Sequence, residues 1–162
     1  AAHSRQYVYS VFNEPARSAV LAGKTTWFKR PLDCERMQQA ASSLLGEHDF
    51  TSYRATACQS LSSFRNLQQL DVVRHGSLVL FHVRANAFLY HMVRNLVGVL
   101  LAIGAGDQPV SWAAELLAQR DRTRGGKTAS PDGLYLASVG YPAQFGLPEN
   151  SSAMQLPWLT MR

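Results

Sequence analysis

The chain has 162 residues, of which 46% are hydrophobic and 17% are charged, so it is long enough and apolar enough to fold around a core of its own. This composition excludes an intrinsically disordered chain. The net charge of +5 permits binding to a polyanion, but the basic residues are dispersed, so a nucleic acid would be recognised by a folded surface rather than by a basic tail.

The first half of the sequence predicts a strand, a helix and a hairpin. Residues 5–12 alternate and are rich in Tyr, Val and Phe, which indicates a strand. After an irregular stretch, Asp33 is expected to cap a helix that continues to Leu45 and stops at Gly46, with a loop following to residue 58. Residues 65–74 and 78–84 resemble two strands joined at His75-Gly76, as in a β-hairpin.

A strongly apolar run follows the hairpin, and its hydrophobic residues recur at spacings of three and four. This pattern predicts a helix from about Ala87 to Ile103. The run is interrupted by His91, Arg94 and Asn95, so its uninterrupted apolar part is too short to span a membrane. Arg94 is the single formal charge in the run. Either its stem covers apolar neighbours while its head reaches solvent, or its guanidinium meets a carboxylate or phosphate.

The remaining residues predict a second helix and a final strand. Ser111 is expected to begin a helix that continues to about Arg120, residues 121–133 form a loop, and residues 134–141 form a strand. Since strands and helices mix without strict alternation, we expect an α+β fold with a mostly antiparallel sheet and helices packed on one face.

We expect a single domain over residues 1–162, with a core at 1–141 and a loosely held tail at 142–162. The two cysteines, Cys34 and Cys58, are too few for a disulfide framework, so we expect reduced thiols, as in a cytoplasmic protein. No His or Cys spacing predicts a metal site. The chain begins at Ala1 almost directly with a strand, which indicates either a piece cut at a domain boundary or N-terminal processing.

Several short motifs occur in one order along nearly the whole chain. Together they resemble the C-terminal half of the TruA-type tRNA pseudouridine synthases. The motifs lie at residues 4–9 (SRQYVY), 46–55 (GEHDFTSYRA), 85–89 (ANAFL), 92–95 (MVRN), 121–123 (DRT), 128–129 (TA) and 133–136 (GLYL). The resemblance implies a pseudouridine synthase-like half domain.

The resemblance also implies a reaction. Enzymes of this family isomerise uridine to pseudouridine in the anticodon stem-loop of tRNA, with positions 38, 39 and 40 as the expected targets, and they need no cofactor. Their nucleophile is an Asp in an Arg-Thr-Asp motif of the N-terminal half. This chain contains no such motif, and Asp121-Arg122-Thr123 is a different sequence. We therefore expect half of an active site, inactive alone.

Three residues match active-site positions of the family. The resemblance implies that Arg94 pairs with the absent Asp, that Tyr7 stacks on the target uracil, and that Leu134 lines the same pocket. Without the resemblance, Tyr7 and Leu134 would be interpreted as core residues. His82 and His91 are expected to be structural rather than catalytic.

Five further basic residues are candidate phosphate contacts, although an ordinary solvated charge explains each equally well. They are Arg5, Arg54, Arg84, Arg122 and Lys127. The resemblance implies tRNA, the N-terminal half and a second copy in a homodimer as partners. The alternative is a non-catalytic RNA-binding or dimerisation module. A small-molecule enzyme is disfavoured because the sequence has no Gly-rich phosphate loop or paired carboxylates.

Overall fold

The computed structural model describes residues 4–57 and 60–140, with side chains as far as residue 137. Cys58 and the predicted tail at 142–162 lie outside the described residues. In chain order the helices and strands are β1 (Ser4–Asn13), β2 (Thr26–Phe28), α1 (Cys34–Ser42), β3 (Gly46–Asp49), β4 (Phe64–His75), β5 (Leu78–Ala85), α2 (Met92–Gly104), α3 (Trp112–Gln119) and β6 (Leu134–Gly140).

The described strands form one six-stranded sheet in which β1 has three neighbours. One edge of β1 pairs antiparallel with β5 along almost its whole length. The other edge is shared: β6 pairs antiparallel with the first half of β1, and β2 pairs parallel with its last three residues. β4 and β3 continue the sheet beyond β5, both antiparallel. The sheet is therefore mostly antiparallel, as predicted.

The three helices cover one face of this sheet. Alternate residues of β1 and β5, such as Tyr9 and Phe81, are fully buried against α1 and α2. The opposite face has only a small cluster, in which Val8 and Leu80 pack with Tyr135 and Ala137. The predicted α+β class, with helices on one face, is confirmed. Among the described residues, no helix is long and apolar enough to cross a bilayer.

The predicted start of α2 is wrong by five residues. Helix α2 begins at Met92 rather than Ala87, because His91 adopts a left-handed conformation (φ 60°, ψ 13°) that a right-handed helix cannot continue through. Asn86 ends the preceding strand by accepting the backbone N–H groups of Asn66 and Ala87. Arg94 consequently lies in the first turn of α2 and not two turns inside it.

Two short strands and one helix end also differ from the prediction. β2 occurs within the stretch expected to be irregular, and β3 replaces part of a predicted loop; both are too short for a period-two pattern to be visible. α1 ends at Ser42 rather than Leu45. The next residues close a tighter turn, with the Ser43 and Leu44 N–H groups donating three residues back, and Gly46 starts β3 with φ 103°.

The loop of residues 121–133 packs directly on α2 at Gly98. A Cβ atom added to Gly98 would overlap the backbone carbonyl oxygen of Lys127. The contact is between main chains, so only a residue without a side chain allows this approach. The loop segment beyond Lys127 is thereby held against the first half of α2.

We expect Gly98→Ala to destabilise the protein by about 1–3 kcal/mol, because a backbone carbonyl cannot move as a side chain can. The matched control is Gly104→Ala, whose Cβ would meet the Met37 Sδ atom at 2.6 Å. Since a thioether chain repacks readily, the control should cost clearly less. Urea unfolding of both variants provides the comparison, and equal losses would show that the close approach at Gly98 is unimportant.

Candidate active site

A cavity of about 300 Å³ opens where the start of α2 meets the edge of the sheet. Its walls come from β1, the loop before α2, the first turn of α2 and the first residue of β6. Four residues singled out in the sequence line it, namely Arg5, Tyr7, Arg94 and Leu134. The fold thus brings together residues separated by up to 129 positions in the chain (134 − 5).

Tyr7 projects from β1 on the face covered by the helices. It pairs with Val83 of β5 on one side and Leu136 of β6 on the other, and the pairing with β6 shifts register just before it. Such irregularities re-aim side chains. The ring of Tyr7 meets the ring of Phe88 edge to face, with centroids 5.2 Å apart. Tyr7 is only partly buried, and its ring is held by an aromatic neighbour while lining the cavity.

Leu134 lies at the start of β6, opposite Tyr9 of β1, and packs partly against the main core. It forms an apolar part of the cavity wall. Two residues further along the same face of β6, Leu136 is 58% exposed. β6 thus contributes an apolar residue to the cavity wall and presents another apolar residue to solvent outside it.

Arg94 is fixed by a two-way contact with Ala129. The Arg94 carbonyl accepts the Ala129 N–H at 3.1 Å, and the Arg94 Nε donates to the Ala129 carbonyl at 2.7 Å. A third contact joins Arg94 Nη1 to His91 Nε2 at 3.1 Å. Within residues 4–57 and 60–140, Nη2 has no hydrogen-bond partner and no carboxylate pairs with the guanidinium. Nε and Nη1 are thus hydrogen-bonded, and Nη2 is open to a further partner.

The segment that carries Ala129 is itself tied to the core. The Tyr9 hydroxyl contacts the Ser130 carbonyl and the Thr26 hydroxyl, each at 2.6 Å. Burial raises the pKa of Tyr9 to about 12, so the phenol stays protonated and can donate throughout the neutral range. The Thr128 hydroxyl donates to the Asn95 side chain at 2.6 Å. Arg94 is thus oriented by a loop that is itself bound at two further points.

His91 was expected to be structural, and the structure places it in the cavity wall. Its ring stacks on Tyr90 with centroids 3.9 Å apart, and its Nε2 contacts Arg94. Burial, and then the positive charges of Arg94 and Arg122, lower the pKa of His91 below its ordinary value. Its spacing of three residues from Arg94 is visible in the sequence, but the helix start that turns this spacing into a contact is not.

The predicted phosphate contacts do not form one surface around the cavity. Only Arg5 lines it. Arg84 lies on the opposite face of the sheet, together with His82. Lys127 lines a separate cavity of about 470 Å³ beside Trp27.

Arg54 and Arg122 are both engaged within the protein. Arg54 donates to the Ser63 hydroxyl at 2.6 Å and to the Ser60 carbonyl at 3.2 Å. Arg122 Nη2 lies within 3.4 Å of the Asn95 side-chain oxygen, and its Nε is buried without a partner in the described part of the chain. Arg122 therefore braces the network beneath Arg94 instead of extending into solvent.

None of the aspartates lines the cavity. Asp121 caps its own turn by accepting the Thr123 N–H and hydroxyl, which with Arg124 lowers its pKa. The others lie elsewhere in the fold, at Asp33, Asp49, Asp71, Asp107 and Asp132. In the described ranges, no three His, Cys, Asp or Glu side chains gather in the manner of a metal centre. The cavity thus presents an oriented cation and an aromatic ring without an anion of its own.

Comparison with known proteins identifies the family of the chain. The profile of the tRNA pseudouridine synthase family matches residues 40–142. The chain belongs to the tRNA pseudouridine synthase family. It is 51% identical over 149 residues to tRNA pseudouridine synthase A of Pseudomonas aeruginosa, covering 92% of this chain and 52% of the relative.

Two further relatives show similar identities and coverages. The synthase A of Klebsiella pneumoniae is 53% identical over 148 residues, covering 91% of this chain and 55% of the relative. That of Methylococcus capsulatus is 51% identical over 157 residues, covering 97% of this chain and 58% of the relative. The chain spans about half the length of the curated relatives it matches.

We expect Tyr9→Phe to lower the stability by about 1–3 kcal/mol, because the partly buried Ser130 carbonyl and Thr26 hydroxyl lose their partner. The matched control is Tyr135→Phe, which loses one exposed hydrogen bond to the Lys24 carbonyl and should cost about 0.5 kcal/mol.

The Tyr9 pKa is raised in the folded state, so its contribution to stability is complete below pH 10 and lost as the pH rises toward 12. Because phenylalanine does not titrate, Tyr9→Phe should also lose less stability than the wild-type protein as the pH rises from 10 toward 12. Urea unfolding at neutral and alkaline pH measures both effects, and equal losses in the two variants would contradict them.

Proposed function

We propose that this chain is the C-terminal half of a tRNA pseudouridine synthase, which isomerises uridine to pseudouridine in the anticodon stem-loop. The expected targets are positions 38, 39 and 40. The observation that carries the proposal is the open Nη2 of Arg94. It lies in a cavity with aromatic walls, and none of the described residues that line this cavity is a carboxylate. A nucleophilic Asp from outside residues 1–162 would complete the site.

Arg94 would hold this Asp ionised and aimed at the ribose. A guanidinium within about 4–6 Å lowers the pKa of a carboxyl group, and a planar fork fixes its direction. The position of Arg94 in the first turn of α2 adds to this effect, since a helix N-terminus also favours negative charge. Both influences act on the same incoming carboxylate.

Tyr7 and Leu134 would receive the target base. A base within a stacked helix is out of reach, so it must be flipped into a pocket with aromatic and apolar walls. The Tyr7 ring, supported by Phe88, offers a face for stacking, and Leu134 offers an apolar wall. The bond between N1 and the ribose would break, the uracil would turn, and its C5 would join the ribose. C5 would then lose its proton and N1 would gain one, so that no cofactor or metal is required.

The remaining proposals concern organisation and partners. We propose a single domain over residues 1–162, with a core at 1–141 and a tail at 142–162, in a cytoplasmic homodimer. No strand pairs with the outer edge of β6 within residues 4–57 and 60–140, and such an edge favours association with further protein. The backbone of tRNA would contact the dispersed basic residues Arg5, Arg84 and Lys127. Arg54 and Arg122, the other two candidates, bond within the protein and would support this surface from inside.

A non-catalytic RNA-binding or dimerisation module is the second candidate, favoured by the absence of an aspartate from the cavity wall. Pseudouridine formation on an unmodified tRNA transcript distinguishes the two. We expect no activity from this chain alone and activity when the upstream half is added. Activity from this chain alone would show that a carboxylate within it is the nucleophile. Binding of tRNA without activity in the mixture would favour the module.

We expect Arg94→Lys in the full-length protein to lower kcat by on the order of 10²-fold or more while the fold survives. A lysine ammonium can neither bond Ala129 through Nε nor present a planar fork to the carboxylate. Arg30→Lys is the matched control, since Arg30 pairs with Asp107 at an exposed position away from the cavity. Its activity should stay unchanged, and unchanged turnover of Arg94→Lys would remove Arg94 from the active site.

A further inference from the structure

We infer that His91 is the positioning residue for Arg94: its neutral imidazole accepts a hydrogen bond from the guanidinium and thereby sets the direction of the open Nη2. The inference rests on the proposed function, because it concerns how the same site is assembled. It assigns a role to a residue whose sequence context indicates only a structural histidine.

The contact itself determines the state of the ring. Arg94 Nη1 lies 3.1 Å from His91 Nε2. A guanidinium nitrogen can only donate, so Nε2 must be the acceptor, and the proton of a neutral imidazole must be on Nδ1. An imidazolium has no acceptor nitrogen and cannot make this bond.

The contact complements the one made by Ala129. The Ala129 carbonyl holds Nε on one edge of the guanidinium, and His91 holds Nη1 on another. Two contacts at different nitrogens fix both the position and the rotation of a planar group, whereas one would leave it free to turn. The plane in which an incoming carboxylate must approach is therefore set before the carboxylate arrives.

The backbone at His91 is unusual and is not explained by helix capping. Residue 91 is the N-cap of α2, yet its side chain makes no capping hydrogen bond. Its φ of 60° is in the left-handed region, which most side chains avoid and which occurs preferentially at functional sites. Histidine tolerates this region about as asparagine and aspartate do, so the backbone leaves the imidazole free to serve the contact with Arg94.

The surroundings keep the ring neutral. The charged groups that act on it are Arg94 on α2 and Arg122 from the adjacent turn, and both are cations. The cavity also contains Arg5 and Tyr7 from β1, with Tyr90 stacked on the ring, and none of the described lining residues is a carboxylate. Protonation would both remove the acceptor and place a second positive charge against Arg94.

Two amide substitutions in the full-length protein separate positioning from capping. In His91→Gln the amide oxygen can take the place of Nε2, while in His91→Asn the same amide is one methylene shorter and does not reach Arg94. We expect His91→Gln to keep kcat within a few-fold and His91→Asn to lower it on the order of 10²-fold, with KM little changed. A purely structural role predicts the reverse order, because asparagine tolerates the left-handed backbone best. An Asn variant as active as the Gln variant would overturn the inference.

The pH profile of the same proteins is a second readout. The wild-type kcat should fall in acid as His91 becomes protonated, and this fall should move to lower pH in His91→Gln, whose amide does not titrate. The aspartate proposed to enter the cavity would move the acid fall of the wild-type kcat to higher pH. The difference in pH profile between the wild type and His91→Gln would remain. An unmoved profile would show that another group is responsible.

A spectroscopic measurement distinguishes failure of the inference from failure of the proposed function. Nitrogen-15 NMR of the His91 ring in the full-length protein should show the tautomer with its proton on Nδ1, whether or not the protein modifies tRNA. The pKa of His91 should rise in Arg94→Met, because a neighbouring cation has been removed. A proton on Nε2 would overturn the inference even in an active enzyme, whereas the expected tautomer in an inactive protein would leave the contact standing and refute the function.

Discussion

The candidate site depends on the two-way contact between Arg94 and Ala129. One bond joins their main chains and the other joins the Arg94 side chain to the Ala129 carbonyl, so helix and loop cannot move apart without releasing the guanidinium. A charged group that must be partly withdrawn from water is stabilised only by well-placed hydrogen bonds. Here these come from a carbonyl and an imidazole and not from a counter-ion. The positive charge of Arg94 is consequently not neutralised by a carboxylate among the described residues.

The sheet determines where this cation lies relative to the aromatic ring. β1 is bonded to three strands, so its residues have little freedom, and Tyr7 and Tyr9 lie on the same face two positions apart. Tyr9 is buried and holds the loop through Ser130, while Tyr7 lines the cavity. One strand therefore both anchors the loop that orients Arg94 and presents the ring beside it. The positions of the Tyr7 ring and the Arg94 guanidinium relative to each other are thus set by the sheet and not by a direct contact between them.

Much of this fold was predictable from the sequence because its long elements have clear periodicity. β1, β4, β5 and the body of α2 follow from apolar patterns, and the turn between β4 and β5 follows from Gly76. The start of α2 was not predictable, since Phe88 and Leu89 continue the helical pattern although His91 breaks the backbone. β2 and β3 were missed because their pairing is set by neighbouring strands and not by their own few residues.

The site was predictable only in part, for a related reason. A lone arginine in an apolar run leaves open whether its guanidinium reaches solvent or a partner, and only the family resemblance implied a shared site for Arg94, Tyr7 and Leu134. Neither argument reveals that a main-chain carbonyl and a histidine orient the guanidinium, because such contacts depend on the path of the loop. The positions of Arg54, Arg84 and Lys127 away from the cavity were equally hidden, since Arg54 and Lys127 lie in loops whose paths the sequence does not show, and the face on which Arg84 lies depends on how the sheet is assembled.

Ala129 contacts Arg94 only through its peptide atoms. Some positions of the chain are therefore free to vary in side chain, and others are not. The identity of residue 129 matters to the guanidinium only through the course of its backbone. Gly98, which lines no part of the candidate cavity beside Arg94, sets that course by letting the loop touch the helix. The orientation of the Arg94 guanidinium thus depends on the absence of a side chain at Gly98, one turn further along α2. A substitution there would change the orientation although Gly98 is not among the residues that line the cavity.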